Sequence, residues 1–149
     1  MEGLRIRRMS LADLPEVCAI ENRCYSTPWS LKSFEYEIGN KDAVLRVAIQ
    51  DDMIAGYLCV RTILDVTHLL NITVRPELRG KGTGSALLKN ALEELKSIMP
   101  NVNLTLEVRE ANMPAIKLYE KFGFRIIGRR KKYYQKPDDD ALLMELRPG

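Results

Sequence analysis

The sequence has few of the residues that build metal or disulfide centres. Its 149 residues contain one histidine and three cysteines, and no two cysteines form a CxxC pair. An odd number of cysteines cannot all pair within one chain, so we expect reduced thiols and a cytoplasmic protein. With a single histidine, we expect no metal site.

Long apolar runs, repeats and a strong charge of one sign are also missing. No window approaches the 18 or so apolar residues that span a bilayer, and no apolar segment follows the charged first residues as in a signal peptide. The formal net charge is +3, with 46% hydrophobic and 29% charged residues, which is ordinary for a globular protein. We therefore expect a single domain over residues 1–149, without a membrane partner or direct nucleic-acid binding.

Periodicity and punctuation predict an alternation of strands and helices. The predicted strands cover residues 4–8, 44–50, 54–63, 68–74, 102–108, 124–131 and 141–146. The predicted helices cover residues 10–22, 30–38, 85–98 and 111–122, with Ser10 and Ser30 as N-terminal caps. Hairpins together with strand–helix–strand units predict an α/β fold with a mixed sheet and helices on both faces.

The segment LRGKGTGSALL, residues 78–88, combines three glycines with the start of a predicted helix. A bare backbone beside a helix N-terminus, which carries roughly +0.5 of partial charge, suits an anion such as phosphate. The nucleotide-binding motif GxxxxGK[ST] is absent, so we exclude a P-loop. A dinucleotide site would need GxGxxG directly after a strand, whereas five residues intervene here; because Glu107 lies at a suitable distance downstream, this reading stays open. So does a glycine-rich helix start without any ligand.

The pattern Arg79-x-x-Gly82-x-Gly84, between the strand LLNITV and a helix, resembles the acyl-coenzyme A loop of the GNAT superfamily of N-acetyltransferases. The segment LEVREANMPAIKLYEKFGF resembles the second half of that family's cofactor and catalytic region, and the element order agrees over essentially the whole chain. TPWS, NITV and the tyrosine pair at 133 and 134 resemble the RimI-type N-terminal acetyltransferases, which modify a ribosomal protein in bacteria. The resemblance implies a GNAT fold, a mostly antiparallel sheet that splays open.

The resemblance also implies acetyl-CoA as the cosubstrate. Its pyrophosphate would lie on the N–H groups of residues 80–85 beside Arg79 and Lys81, and its pantetheine arm would run along the edge of the strand at 72–74. Asn112 would cap the next helix and hydrogen-bond the cofactor. The implied cofactor-binding residues are Ile72, Thr73, Val74, Arg79, Gly80, Lys81, Gly82, Thr83, Gly84, Ser85 and Asn112.

Two residues match the family's catalytic positions. Glu107 would accept the amine's proton, directly or through water, and Tyr119 would protonate the departing thiolate. Since a strand between two crossovers should be covered on both faces, a lone acid there is expected to do more than contact solvent. Two structural readings remain open: Glu107 paired with Arg109 at an exposed strand end, and Tyr119 as part of an ordinary core stripe.

The chemistry favours a terminal amine as acceptor. An α-amine with a pKa of about 7.8 is roughly 14% neutral at pH 7, whereas a lysine with a pKa of about 10.4 is about 0.04% neutral. By resemblance, Tyr25, Trp29, Tyr133 and Tyr134 would grip the peptide, although Trp29 suits a packed loop anchor equally well. The basic run at 129–132 is typical of a solvated edge strand, with binding of an acidic partner or ribosomal RNA as the alternative. A small-amine acetyltransferase and a non-catalytic CoA-binding module remain as alternatives.

Overall fold

The computed structural model describes residues 3–135 and 137–147. Within these ranges the strands are β1 (Arg5–Arg8), β2 (Ala43–Gln50), β3 (Met53–Ile63), β4 (Val66–Val74), β5 (Asn103–Arg109), β6 (Arg125–Tyr134) and β7 (Asp139–Leu146). The helices are α1 (Leu14–Cys24), α2 (Leu31–Ile38), α3 (Thr83–Ile98) and α4 (Met113–Lys121). The predicted order of elements is confirmed along the whole described chain.

The strands form one sheet in the order β1-β2-β3-β4-β5-β7-β6. Strands β4 and β5 run parallel, and every other neighbouring pair is antiparallel. The parallel pair is joined through α3, as a parallel connection requires a crossover. The predicted mixed, mostly antiparallel sheet is therefore confirmed.

Helices cover both faces of this sheet, as predicted. Alternate residues of β3 point to opposite faces: Tyr57 packs in the cluster that contains α1 and α2, and Leu58 in the cluster that contains α3 and α4. Both side chains are fully buried. The sheet is thus the shared wall of two apolar layers.

The sheet opens between its two central strands. Strand β4 pairs with β5 only from Val66 to Leu69, although β4 continues to Val74 and β5 continues to Arg109. On its other side, β4 pairs Leu69 with Val60 and Asn71 with Cys59, which leaves Leu70 as an extra residue. Such a bulge bends its strand, and it lies where the two strands part. The splayed sheet implied by the family resemblance is confirmed.

Several predicted boundaries shift in the structure. Helix α3 begins at Thr83, two residues before the prediction, because Gly82 takes the N-cap position in a left-handed conformation. Strand β6 extends to Tyr134, three residues beyond the prediction, past a register irregularity after Arg130. The predicted cap is confirmed at Ser30, whose hydroxyl accepts a hydrogen bond from the Ser33 N–H at 3.1 Å.

The cysteines are free thiols, as predicted, with Cys59 buried and Cys18 and Cys24 half-buried. Burial raises the pKa of the Cys18 thiol, which makes it a poor nucleophile at neutral pH. Among the described residues, no helix is both long and apolar enough to cross a membrane.

Candidate active site

A cleft of about 920 Å³ lies where β4 and β5 diverge. Its walls come from the end of α1 and the loop after it, from the C-terminal half of β4, from the segment at 79–85, from β5 and from α4. The cleft brings together the predicted site residues Tyr25, Trp29, Ile72, Thr73, Val74, Arg79, Gly80, Gly82, Thr83, Gly84, Ser85, Glu107, Asn112, Tyr119 and Tyr134. Lys81 and Tyr133 do not line it. One opening therefore holds nearly all residues of the predicted constellation.

The glycine segment places backbone donors at the cleft. Gly80 and Gly82 have φ angles of +79° and +88°, which side-chain-bearing residues rarely adopt. The first α-helical hydrogen bond of α3 runs from the Ala86 N–H to the Gly82 carbonyl and is 3.0 Å long. The N–H groups of the three preceding residues, 83–85, therefore have no acceptor within the helix and face the side where partial positive charge gathers.

A buried hydroxyl at the same place is without a partner. Thr83 is 2% exposed, and its Oγ1 makes no hydrogen bond to any described residue. Buried polar atoms are normally satisfied, so an unpaired hydroxyl beside free helix donors suits a ligand with several acceptor oxygens. This observation fits the pyrophosphate of acetyl-CoA.

We expect Gly82→Ala to weaken acetyl-CoA binding about tenfold, because a left-handed conformation costs an alanine about 1–2 kcal/mol and the loop would relax out of its anion-binding shape. Calorimetric titration with acetyl-CoA measures this change. Gly39→Ala is the matched control, since Gly39 has a φ of −82° and ordinary surroundings. Equal affinities for the two variants would contradict this role of Gly82.

Of the two predicted cations, only Arg79 borders the cleft. Its Nε donates to the Val74 carbonyl at 3.1 Å and its Nη2 lies 3.3 Å from the Cys24 sulfur, so it ties the loop to β4 and to α1. Lys81 is exposed and outside the lining, so its place beside the pyrophosphate stays a prediction.

Beyond Leu69, the edge of β4 that faces β5 has no strand of the described chain paired with it. Ile72 and Thr73 line the cleft beyond the last residue that pairs with β5. The carbonyl of Val74 is already engaged by Arg79. Neighbouring residues of a strand turn their backbone groups to opposite edges, and Thr73 pairs with Tyr57 of β3. An extended ligand that adds to this edge, as pantetheine would, therefore has Ile72 as its nearest backbone partner.

Glu107 faces the open cleft. The structure corrects the expectation that both faces of β5 are covered: Glu107 is exposed, and it lies just beyond the last residue of β5 that pairs with β4. The alternative ion pair with Arg109 is absent: that guanidinium donates to the carbonyls of Gln135 and Pro137, at 3.0 and 2.8 Å. Among the described residues Glu107 has no cationic partner. Its carboxylate is available to a ligand.

Tyr119 lies across the cleft on α4. It is 6% exposed, and its ring lies 5.7 Å from that of Phe124. Burial raises the pKa of Tyr119, and the nearby Tyr25 and Tyr134 raise it further. The hydroxyl therefore keeps its proton at neutral pH. The sequence left open whether Tyr119 packs in the core or lines the cleft. In the structure its side chain does both.

Tyr134 and Tyr133 have different surroundings. Tyr134 lines the cleft under the Arg109 guanidinium, which lies 4.5 Å from its ring centre, and burial together with Glu107 raises the pKa of Tyr134 to about 12. Tyr133 is 47% exposed and does not line the cleft. The structure does not bring Tyr133 into the cleft: its ring packs edge-on against that of Tyr134, with 5.1 Å between ring centres, beside the register irregularity that follows Arg130.

The remaining predicted residues each have a structural role as well. Asn112 caps α4, with its Oδ1 accepting from the Ala115 N–H at 3.3 Å, which leaves its amide NH2 for a ligand. Trp29 packs on Phe34 at 5.1 Å between ring centres while it borders the cleft. The basic run is largely exposed, and Arg129 forms ion pairs with Glu110 and Asp140. No group of three or more metal-binding side chains occurs among the residues described.

Two of the cleft residues that sequence reasoning did not assign to the site carry a charge, Glu21 and Arg109. Glu21 lies on the buried face of α1 with Leu14 and Val17, and a carboxylate at an apolar position of an amphipathic helix was a usable signal. Arg109 anchors the turn after β6 and shapes the wall at Tyr134. Its role depends on a distant turn, so nothing in the local sequence marks it.

The splayed sheet beside a glycine-lined helix start, with an acid and a tyrosine at the opening, is the arrangement that the resemblance to the N-acetyltransferases implies. Residues 14–124 match the model of the Acetyltransferase (GNAT) family. The chain belongs to this family.

Its relatives include the [ribosomal protein bS18]-alanine N-acetyltransferases of Salmonella typhimurium and Escherichia coli K12. The first is 36% identical over 140 residues, 93% of each chain, and the second is 35% identical over 143 residues, 95% of each chain. The crystal structure of the ribosomal-protein-S18-alanine N-acetyltransferase from Escherichia coli superimposes with a TM-score of 0.89 at 32% identity, over 98% of this chain and 94% of that one. Arabidopsis thaliana NAA60 in complex with a bisubstrate analogue shares the fold, with a TM-score of 0.87 at 19% identity over 97% of both chains.

Proposed function

We propose that this protein transfers the acetyl group of acetyl-CoA to the N-terminal α-amine of a protein, and that the acceptor is a ribosomal protein that begins with alanine. The acceptor is suggested by the full-length relatives, which are named for alanine acetylation of ribosomal protein bS18. We expect the protein to act in the cytoplasm, where ribosomal proteins are made. The observation that carries the proposal is the single cleft that contains both Glu107 and Tyr119 beside the glycine segment.

The donor would lie with its pyrophosphate on the N–H groups of residues 83–85 and with Arg79 alongside. Its pantetheine arm would follow the free edge of β4 toward the point where the sheet opens. The thioester would then lie between β5 and α4, next to Glu107 and Tyr119. Positioning both reactants in one cleft makes the attack effectively unimolecular.

The reaction needs one proton to leave the amine and one to reach the sulfur. The neutral amine attacks the thioester carbonyl, so that a C–N bond forms and the C–S bond breaks. The unpaired carboxylate of Glu107 accepts the amine's proton, directly or through a water molecule, and the Tyr119 hydroxyl donates a proton to the thiolate. A tyrosine with a raised pKa is protonated before the reaction, as a proton donor must be.

The walls of the cleft suit a peptide end. Tyr25 and Trp29 border one side, and Tyr134, held by Arg109, borders the other. Aromatic side chains of this kind offer apolar faces with polar tips. They would hold the first residues of the acceptor in an extended form.

Comparison of acceptors tests this proposal. We expect the catalytic efficiency with a peptide that begins with alanine to exceed that with spermidine or an aminoglycoside by at least about 100-fold, because an acceptor that fails to fill a peptide groove loses binding energy at the reacting centre. Release of CoA thiol measures the rates. Higher efficiency with the small amines would favour the small-amine alternative, and no turnover with any acceptor would favour the non-catalytic one.

A further inference from the structure

A buried carboxylate lies beneath the cleft wall. Glu21 is 2% exposed and forms no ion pair within the described part of the chain. Its Oε1 accepts hydrogen bonds from the Tyr57 hydroxyl at 2.6 Å and the Asn71 side-chain amide at 3.1 Å. Its Oε2 accepts from the Trp29 backbone N–H at 3.0 Å. Three donors thus replace the water that a carboxylate loses on burial.

These bonds set the direction of a longer chain of hydrogen bonds. Because the Asn71 NH2 group donates to Glu21, the Asn71 Oδ1 must face the other way, where it accepts from the Thr73 hydroxyl at 2.7 Å. Thr73 has one hydroxyl proton, and this bond uses it. The contact of 2.7 Å between the hydroxyls of Tyr25 and Thr73 is therefore donated by Tyr25.

The hydroxyl of Tyr25 consequently has its proton turned inward. Burial raises the pKa of Tyr25, so the proton stays in place at neutral pH. The Ile72 carbonyl, at 3.5 Å, is too distant to compete with Thr73 for that proton. Tyr25 lines the cleft with Glu107 and Tyr119, so its oxygen can offer its lone pairs to a ligand there.

We propose that the Tyr25 hydroxyl accepts a hydrogen bond from the acceptor's α-amine, and that Glu21 is the positioning residue that holds Tyr25 in this accepting orientation. This inference rests on the proposed function, since it concerns how the same cleft recognises its amine. An oxygen with only lone pairs to offer favours a primary amine or ammonium group, which is a pure donor when charged. It gives no partner to an N-terminus that lacks the amine.

Glu21 acts through hydrogen bonding and does not take up the proton of the reaction. A proton moving from Tyr25 toward Glu21 along this chain of hydrogen bonds would have to pass through the Asn71 amide, which does not exchange its oxygen and nitrogen roles on each turnover. The proton acceptor therefore remains Glu107. Glu21 orders the side of the cleft that Tyr25 and Trp29 border, through the Tyr25 hydroxyl and through the Trp29 backbone.

Equilibrium binding to the CoA-loaded protein tests the proposal without turnover. Two peptides are compared, one that begins with alanine and the same peptide with a propionyl group in place of the alanyl residue, which differs only by the amine. We expect the wild type to prefer the amine peptide. In Tyr25→Phe this preference should fall about tenfold, the effect of one hydrogen bond to a charged group.

Two further variants interrupt the chain at a distance. Thr73→Val removes the acceptor of the Tyr25 proton, and Glu21→Gln allows the whole chain to reverse, because its amide can donate to Asn71. Each should lower the preference as Tyr25→Phe does, and combining either with Tyr25→Phe should lower it no further. Tyr36→Phe is the matched control: it removes a hydroxyl that is 65% exposed and lies outside both the cleft and the chain to Tyr25, so the preference should persist.

The outcomes separate this inference from the proposed function. If the wild type binds neither peptide, the proposed function fails and the inference fails with it. If the wild type prefers the amine but Tyr25→Phe keeps the full preference, only the inference is overturned. If Tyr25→Phe loses the preference while Thr73→Val keeps it, the hydrogen-bond chain does not orient Tyr25. Thr73→Val decides this last point even if Glu21→Gln fails to fold.

Discussion

Glu107→Gln is expected to lower kcat with an alanine-terminated peptide by about 10²–10⁴-fold, the usual contribution of a positioned general base. The glutamine amide keeps the size of the side chain but cannot accept the amine's proton. Because Glu107 is exposed and makes no ion pair among the residues described, the variant should fold normally and bind acetyl-CoA with unchanged affinity. Steady-state kinetics and calorimetric titration measure the two quantities.

Glu110→Gln is the control for this substitution. Glu110 lies three residues further along the chain, outside the cleft, where it pairs with Arg129. Removing an exposed ion pair of this kind changes stability by at most about 1 kcal/mol, and kcat should stay near the wild-type value. Similar kcat values for the two variants would show that Glu107 is not the proton acceptor.

Tyr119→Phe is expected to lower kcat by about 10²-fold or more, because the thiolate then leaves without a proton donor. The ring can keep its packing against Phe124, so the thermal midpoint should change little. Stopped-flow or steady-state release of CoA thiol measures the rate.

The control for the missing hydroxyl is Tyr36→Phe. Tyr36 is 65% exposed on α2 and lies outside the cleft, so its replacement should leave kcat unchanged. If Tyr119→Phe retains wild-type kcat, its hydroxyl serves packing alone and the thiolate is protonated by another group, such as water.

The parts of the site that depend on local sequence were predictable. The glycine segment, the cap at Ser30 and the cap at Asn112 follow from residue types at neighbouring positions, and the structure contains each of them. A left-handed glycine or a capping side chain acts within a few residues, so the pattern that encodes it is short.

The parts that depend on pairing between distant strands were not predictable. Leu70 is an ordinary member of an apolar run, and its bulge exists only in the register between β4 and β3. That bulge lies where the sheet opens, and the opening is what exposes Glu107. Likewise, which of Tyr133 and Tyr134 lines the cleft depends on a register irregularity between β6 and β7.

The role of Glu21 was predictable only in part. Its place on the buried face of α1 could be read from helical spacing, but its three donors come from β3, β4 and the loop after α1. A single sequence shows that such a carboxylate is buried without showing what satisfies it. The same limit applies to Arg109, whose partners lie 26 and 28 residues away.

The most direct test of the account locates the acetyl group on a peptide that offers both kinds of amine. A synthetic peptide with an N-terminal alanine and an internal lysine is incubated with acetyl-CoA and the wild-type protein, and tandem mass spectrometry of the product assigns the modified nitrogen. We predict acetylation at the α-amine of the alanine, absent in a parallel reaction with Glu107→Gln over the same time. Acetylation at the lysine side chain alone would contradict the account.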